Sequence, residues 1–122
     1  MVRIKKARQI LKSFADDTRI RIINLLDKEP LNVTELCSII GAAQSNISKH
    51  LARLRLTGVV TDKRRGFNVY YKLTRPENEK HQNLVNLIVK GLAGVEITRH
   101  DLEVLKRIKK ERKNNKGESP GH

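Results

Sequence analysis

Residues 44–58 read QSNISKHLARLRLTG, and most of the fold can be argued outward from them. At about 100° per residue, Ile47, Leu51 and Leu54 fall within roughly 60° of one another. They form one core-facing stripe. Ser45, Lys49 and Arg53 sit opposite, with Asn46 beside them, and nothing apolar interrupts that face until Leu56. Groups that both donate and accept hydrogen bonds are concentrated in the first two turns. That is the end of a recognition helix that reaches deepest into a DNA major groove. Gln44 and Asn46 can make paired hydrogen bonds to adenine, and Lys49 and Arg53 can reach guanine edges or phosphates. Ser45 and Ser48 are short donors suited to phosphates near the helix start. The competing reading is an ordinary solvated face, and the neighbouring segments weigh against it. His50 lies on the border of the stripe and reads as a packed, hydrogen-bonded side chain rather than a base reader or metal ligand.

Upstream, NVTELCSIIG (32–41) is a short helix with both ends marked. Asn32 can cap it, Glu35 three residues later completes a capping-box pattern, and Gly41 can take the left-handed conformation that closes it. Thr34, on this helix, joins the candidate DNA contacts. A short helix, a tight turn and a longer basic helix ending at Gly58 make a helix-turn-helix. Downstream, VVTDKRRGFNVYYKLT (59–74) places β-favouring residues on either side of a polar middle containing Gly66. This predicts a hairpin, a wing, with Lys63, Arg64, Arg65 and Asn68 at its tip over residues 63–68.

The remaining chain is helical in pattern. Ile4, Ala7, Leu11 and Phe14 predict a first helix over 4–14. Asp16 is an N-cap for a second, which runs to about Asp27 with Ile22, Leu25 and Leu26 inward and Pro30 beyond its end. Thr74 and Glu77 make a second capping pair, with Pro76 in the first turn of the fifth helix. Between residues 84 and 92, Leu84, Val85, Leu87, Ile88, Val89 and Leu92 cover more than one stripe. A chain of 122 residues has too little partner surface for that helix. A homodimer interface through Ile4, Leu11, Leu84, Leu87, Ile88 and Leu92 is therefore expected. A last helix spans about Thr98 to Lys113, with Leu102, Leu105 and Ile108 on one face. The fold class is mainly α with a small β-hairpin, a winged helix-turn-helix ordered α-α-α-α-β-β-α plus a C-terminal helix. It forms one DNA-binding and dimerisation domain over 1–113, and the polar tail 114–122 reads as disordered.

Charge points the same way. Lys and Arg outnumber Asp and Glu 26 to 13, for a net +13 and a pI near 10.3. Residues 44–75 carry eight cations against one anion, while 76–95 are neutral. So local an excess is a footprint for a polyanion, with nucleic acid first and an anionic membrane surface second; taken with the helix-turn-helix, the partner expected is double-stranded DNA. The single cysteine, Cys37, can make no internal disulfide, which fits a reducing compartment. No apolar run is long enough to span a membrane. The basic amphipathic start MVRIKKARQILKSF lacks the apolar core and cleavage site of a signal peptide. The expectation is a cytoplasmic, unprocessed protein without a cofactor. An enzyme is not indicated, since there is no Gly-rich phosphate loop, no metal-ligand set and no nucleophile with an evident base.

Four segments in order, FADDTRIRIINLL, VTELCSIIG, QSNISKHLARLRLTGVV and RRGFNVYYKL, resemble the ArsR/SmtB family of bacterial winged-helix repressors over roughly residues 10–74. The resemblance implies a homodimer built through its first and last helices. It implies a repressor on an inverted-repeat operator, released by an inducer that is often a metal ion. It places the recognition helix at 44–57 and the wing at 63–68. The sensing motifs depart from the family's pattern. Where some members carry E-L-C-V-C, this chain has ELCSII, and one thiol is short of the three or so that a soft metal needs. His81 is the only candidate for the start of the family's other metal motif. Eleven and fourteen residues on stand Leu92 and Val95, neither a ligand, and His100 is wrongly spaced. No metal site is assigned. Cys37 reads as a small core residue, a single sensing thiol, or a lone ligand completed elsewhere, and the effector stays unidentified. The alternative to a sequence-specific regulator is a winged-helix protein that binds DNA or RNA with little sequence preference, as an architectural protein does.

Overall fold

The computed structural model describes the backbone of residues 4–74, 79–92 and 94–117, and the side chains of 4–74, 83–92 and 94–113. In chain order the elements are α1 (Ile4–Ser13), α2 (Asp17–Leu26), β1 (Leu31–Asn32), α3 (Val33–Ile40), α4 (Gln44–Leu56), β2 (Val60–Arg65), β3 (Asn68–Leu73), α5 (Glu79–Leu92) and α6 (Glu96–Gly117). This is the winged helix-turn-helix expected, with one addition. The hairpin is joined by β1, giving a three-stranded antiparallel sheet in the order β1-β3-β2. Leu31 lies opposite Tyr71, and Asn32 opposite Tyr70. Two residues carry no period, so a strand this short leaves no trace in sequence.

Local signals fix the helix ends. The Asp16 side chain accepts from the Arg19 backbone N–H at the start of α2. Asn32 and Glu35 form the reciprocal capping box at the start of α3, with Glu35 N–H to Asn32 Oδ1 at 2.8 Å and Asn32 N–H to Glu35 Oε1 at 3.1 Å. Gly41 closes α3 at φ 77°, in the left-handed region. The capping pair read at Thr74 and Glu77, with Pro76, involves residues outside those described.

The core is aliphatic. Ile22, Ile23 and Leu25 of α2, Leu36 of α3, and Ile47, Leu51 and Leu54 of α4 are fully buried, with Leu31 and Val60 from the sheet. Val85 and Val89 of α5 and Leu105 of α6 join them. α6 is longer than the 98–113 predicted, beginning at Glu96 and ending at Gly117, beyond the boundary drawn at 113. Residues 118–122 of the tail lie outside those described. α6 packs on α2 and α3 through Leu102, Leu105 and Ile108, and polar ties supplement that contact. Arg21 and the buried Asp101 make a two-pronged ion pair with both N···O distances 2.8 Å. Lys109 and Arg112 hold Glu29 at 2.9 and 2.8 Å, and Arg112 also reaches Glu35 at 3.2 Å.

Candidate nucleic-acid interface

α4 is the longer, basic helix of the helix-turn-helix. Its three buried aliphatics face inward, and Gln44, Ser45, Asn46, Ser48, Lys49 and Arg53 are all exposed. Ala43 stands at the N-cap and makes no side-chain cap hydrogen bond. Among the described residues no side chain accepts from the first amides of α4, at the positive end of the helix. A phosphate oxygen satisfies such amides, and Ser45 and Ser48 stand beside them. Thr34 is exposed on α3. Arg53 differs from the others, since it lines a hollow of about 310 Å³ with Gln9, Lys12, Arg19 and Thr57, at the α1 side of α4.

Side chains that the pattern of α4 does not reveal hold the helix in place. Arg19 is buried, and its guanidinium donates to the carbonyls of Ser13 at 3.2 Å and Lys12 at 3.3 Å, closing the C-terminal end of α1. Its Nη1 also stands 3.4 Å from His50 Nδ1. Nε2 of the same ring lies 3.7 Å from Asp16 Oδ1. His50 is thus a packed, partnered histidine, as its border position suggested. Burial pushes the Asp16 carboxyl up, but the Arg19 backbone N–H and the charges of His50 and Arg19 outweigh it, leaving the pKa below the ordinary value. At the other end of α4, Lys6 donates to the Thr57 carbonyl at 2.9 Å, and Ser13 Oγ meets Thr57 Oγ1 at 3.2 Å. Arg19 carried no sequence signal for this role, because its partners on α1 and α4 come together only in the fold.

The wing is a hairpin with a two-residue turn, Gly66–Phe67, since Arg65 lies opposite Asn68. Gly66 has φ 62° and Phe67 has no positive φ, the arrangement of a tight hairpin with glycine at its first central position. Alternation of side chains along β2 and β3 divides the predicted wing residues. Lys63, Arg65 and Asn68 share one face with Tyr70 and Lys72, whose partners in register they or their neighbours are. Arg64 lies on the other face with Asp62, and Asp62 is paired with Arg55 of α4 at 3.2 Å. That ion pair, with Val60 in the core below it, ties the wing to the recognition helix. All four predicted wing residues are exposed, as is Phe67.

The apolar face predicted for dimerisation is divided. Ile4, Leu11 and Leu87 are 81%, 54% and 70% exposed. Leu84 and Ile88 are half-buried against the chain's own core, and Leu92 is also half-buried. Part of the α5 surplus is explained within one chain, because Val85 and Val89 are covered. Cys37 is half-buried on α3, packed against the core. Among the described residues no group of three or more His, Cys, Asp or Glu side chains converges, and Cys37 alone does not fit a resident metal ion. No described helix is long and apolar enough to cross a membrane.

Residues 16–62 match the family model described as bacterial regulatory protein, arsR family. The arsenic resistance transcriptional regulator ArsR1 of Pseudomonas putida is 45% identical over 65 residues, covering 52% of this chain and 51% of the relative. The chain thus spans about half the length of that protein. The transcriptional repressor PagR of Bacillus anthracis is 36% identical over 81 residues, covering 66% of this chain and 81% of PagR. Among solved structures, HlyU from Vibrio cholerae superposes with a TM-score of 0.62 at 31% identity, covering 70% of this chain and 90% of HlyU.

Proposed function

The chain belongs to the arsR family of bacterial regulatory proteins, and we propose that it acts as a homodimeric, sequence-specific DNA-binding transcriptional regulator, a repressor on an inverted-repeat operator. The observation that carries this reading is the division of α4. Ile47, Leu51 and Leu54 are wholly buried, while Gln44, Asn46, Ser48 and Lys49 stand exposed at the uncapped end of the helix. In a complex, the two copies of α4 enter successive major grooves about one helical turn apart. Gln44 and Asn46 read base edges, while Ser45, Ser48, Lys49 and Thr34 fix the register on phosphates. Arg64, Arg65, Lys63 and Asn68 engage the flanking minor groove or its phosphates, and Arg53 contacts backbone beside α1. The exposed Ile4, Leu11 and Leu87 supply the centre of the dimer interface, with Leu84, Ile88 and Leu92 at its border. Repression is the reading favoured by PagR, which is described as a repressor. The protein works in the cytoplasm, and Cys37 is the one thiol available to an effector.

Fluorescence anisotropy of the pure protein with its own upstream DNA, and with a scrambled duplex of equal length, tests the reading at physiological salt. Tight binding to the upstream fragment alone supports a specific regulator. Equal binding to both supports the architectural alternative, unless a genome-wide selection of bound fragments returns a shared inverted repeat.

A further inference from the structure

Phe67 stands at the tip of the β2–β3 hairpin with its side chain 104% exposed, so it packs against nothing among the described residues. The other phenylalanine, Phe14, packs against the core. The turn does not account for Phe67 either. A tight hairpin of this kind needs glycine at its first central position, filled by Gly66, and takes a polar residue at the second without difficulty. The surroundings are specific. Lys63, Arg64 and Arg65 precede the turn, and the one anion of the hairpin, Asp62, is engaged by Arg55. The tip is therefore an exposed aromatic ring behind three consecutive cations. The Arg55–Asp62 pair links β2, below that tip, to α4.

Resting on the DNA-binding reading above, we infer that Phe67 is a DNA contact, an apolar wedge that the wing delivers into the minor groove beside the site read by α4. The ring packs against sugars and the edge of a base step and loosens its stacking, as apolar side chains do in proteins that bend DNA from the minor groove. The cations hold the phosphates on either side. The two contributions separate by their response to salt. Removing a phosphate contact lowers the salt slope by about one, whereas removing an apolar contact lowers affinity at every salt concentration equally.

The chain has no tryptophan, so Phe67→Trp places a single indole at the tip. Its emission and acrylamide quenching are measured in the full chain, free and with the upstream and scrambled duplexes. Wild type and Phe67→Ala are titrated by anisotropy across a salt series, and DNA bending is followed by end-to-end energy transfer. The wedge predicts an indole quenched and shielded on DNA. It predicts roughly ten-fold weaker binding by Phe67→Ala, with the salt slope and melting temperature unchanged and the bend reduced. An indole as open to acrylamide on DNA as off it, or wild-type affinity in Phe67→Ala, overturns the inference while leaving the DNA-binding reading standing. Shielding by phosphatidylcholine–phosphatidylglycerol vesicles but not by DNA also overturns it and assigns the tip to a membrane surface. If the wild type binds neither duplex, both readings fall together.

Discussion

Arg21 on α2 and Asp101 on α6 meet in a two-pronged ion pair in which the carboxylate is fully buried and the guanidinium keeps a fifth of its side-chain surface in solvent. Arg21 also donates to the Ile40 carbonyl at 3.2 Å, at the C-terminal end of α3. One side chain thus joins α2, α3 and α6, and the two partners are not equivalent. Arg21→Ala strands a buried carboxylate and should cost about 3–5 kcal/mol. Asp101→Ala leaves a guanidinium that still reaches water and Ile40, and should cost less. Urea unfolding of the two variants checks the order, and an equal or reversed order refutes the account.

Acid should loosen α6 through Glu29. Burial pushes its carboxyl up, but hydrogen bonds from Lys109 and Arg112 outweigh that and hold it below its ordinary value of 4.5. A depressed folded pKa means that the stabilisation is complete above that ordinary value. It drains away as pH falls through and below it. Thermal midpoints of wild type and Glu29→Gln should differ most near neutrality and converge on acidification. A gap that stays constant with pH would show that the ion pairs contribute nothing.

Asn46→Ala should separate specific from general binding. Loss of a paired contact to a base is expected to cost about 1–3 kcal/mol on the operator and little on random DNA. Parallel titrations of both duplexes read this out, and equal losses on both would place Asn46 on the backbone instead.

Salt supplies a check on the number of phosphates engaged. Affinity should drop roughly 10³-fold or more between about 50 and about 200 mM salt if six or so phosphates are neutralised. Arg64→Gln and Arg65→Gln should each reduce the slope by about one. A shallow wild-type slope is incompatible with the proposed footprint.

Removal of the α3 cap by Asn32→Ala should cost about 1 kcal/mol, because the Glu35 N–H loses its 2.8 Å partner. Asn32→Asp should recover most of it. A melting temperature unchanged in Asn32→Ala would mean that α3 is held by packing alone.

The sequence revealed the parts governed by neighbours along the chain. Asp16, Asn32, Glu35 and Gly41 mark helix ends because a cap and its helix lie within a turn of each other, and Ile47, Leu51 and Leu54 betray a buried stripe by their spacing. Gly66 betrays the hairpin in the same way. What stayed hidden depends on distant partners. Leu31 and Asn32 become a strand only because Tyr71 and Tyr70 arrive beside them. Arg19 looks like any surface cation until α1 and His50 close around it. The α5 aliphatics indicated a helix buried on more than one side, with Leu84, Leu87, Ile88 and Leu92 assigned to a second copy. Val85 and Val89 fill the chain's own core, and Leu84 and Ile88 also pack against it. A one-dimensional pattern cannot apportion an apolar face between a chain and its copy. At the candidate interface, the exposed polar face of α4 was legible, while the division of Lys63, Arg64 and Arg65 between two faces required the register of the strands.

β2 lies at the margin of the three-stranded sheet, so among the described residues one row of its backbone N–H and C=O groups has no strand beside it. Such a row is a template on which another copy can add a strand and begin to aggregate. Lys63, Arg64 and Arg65 follow one another along this margin, so positive charge projects from both sides of it, and two free molecules meeting there repel. The same cations that suit the wing to a polyanion therefore protect the unbound protein from itself.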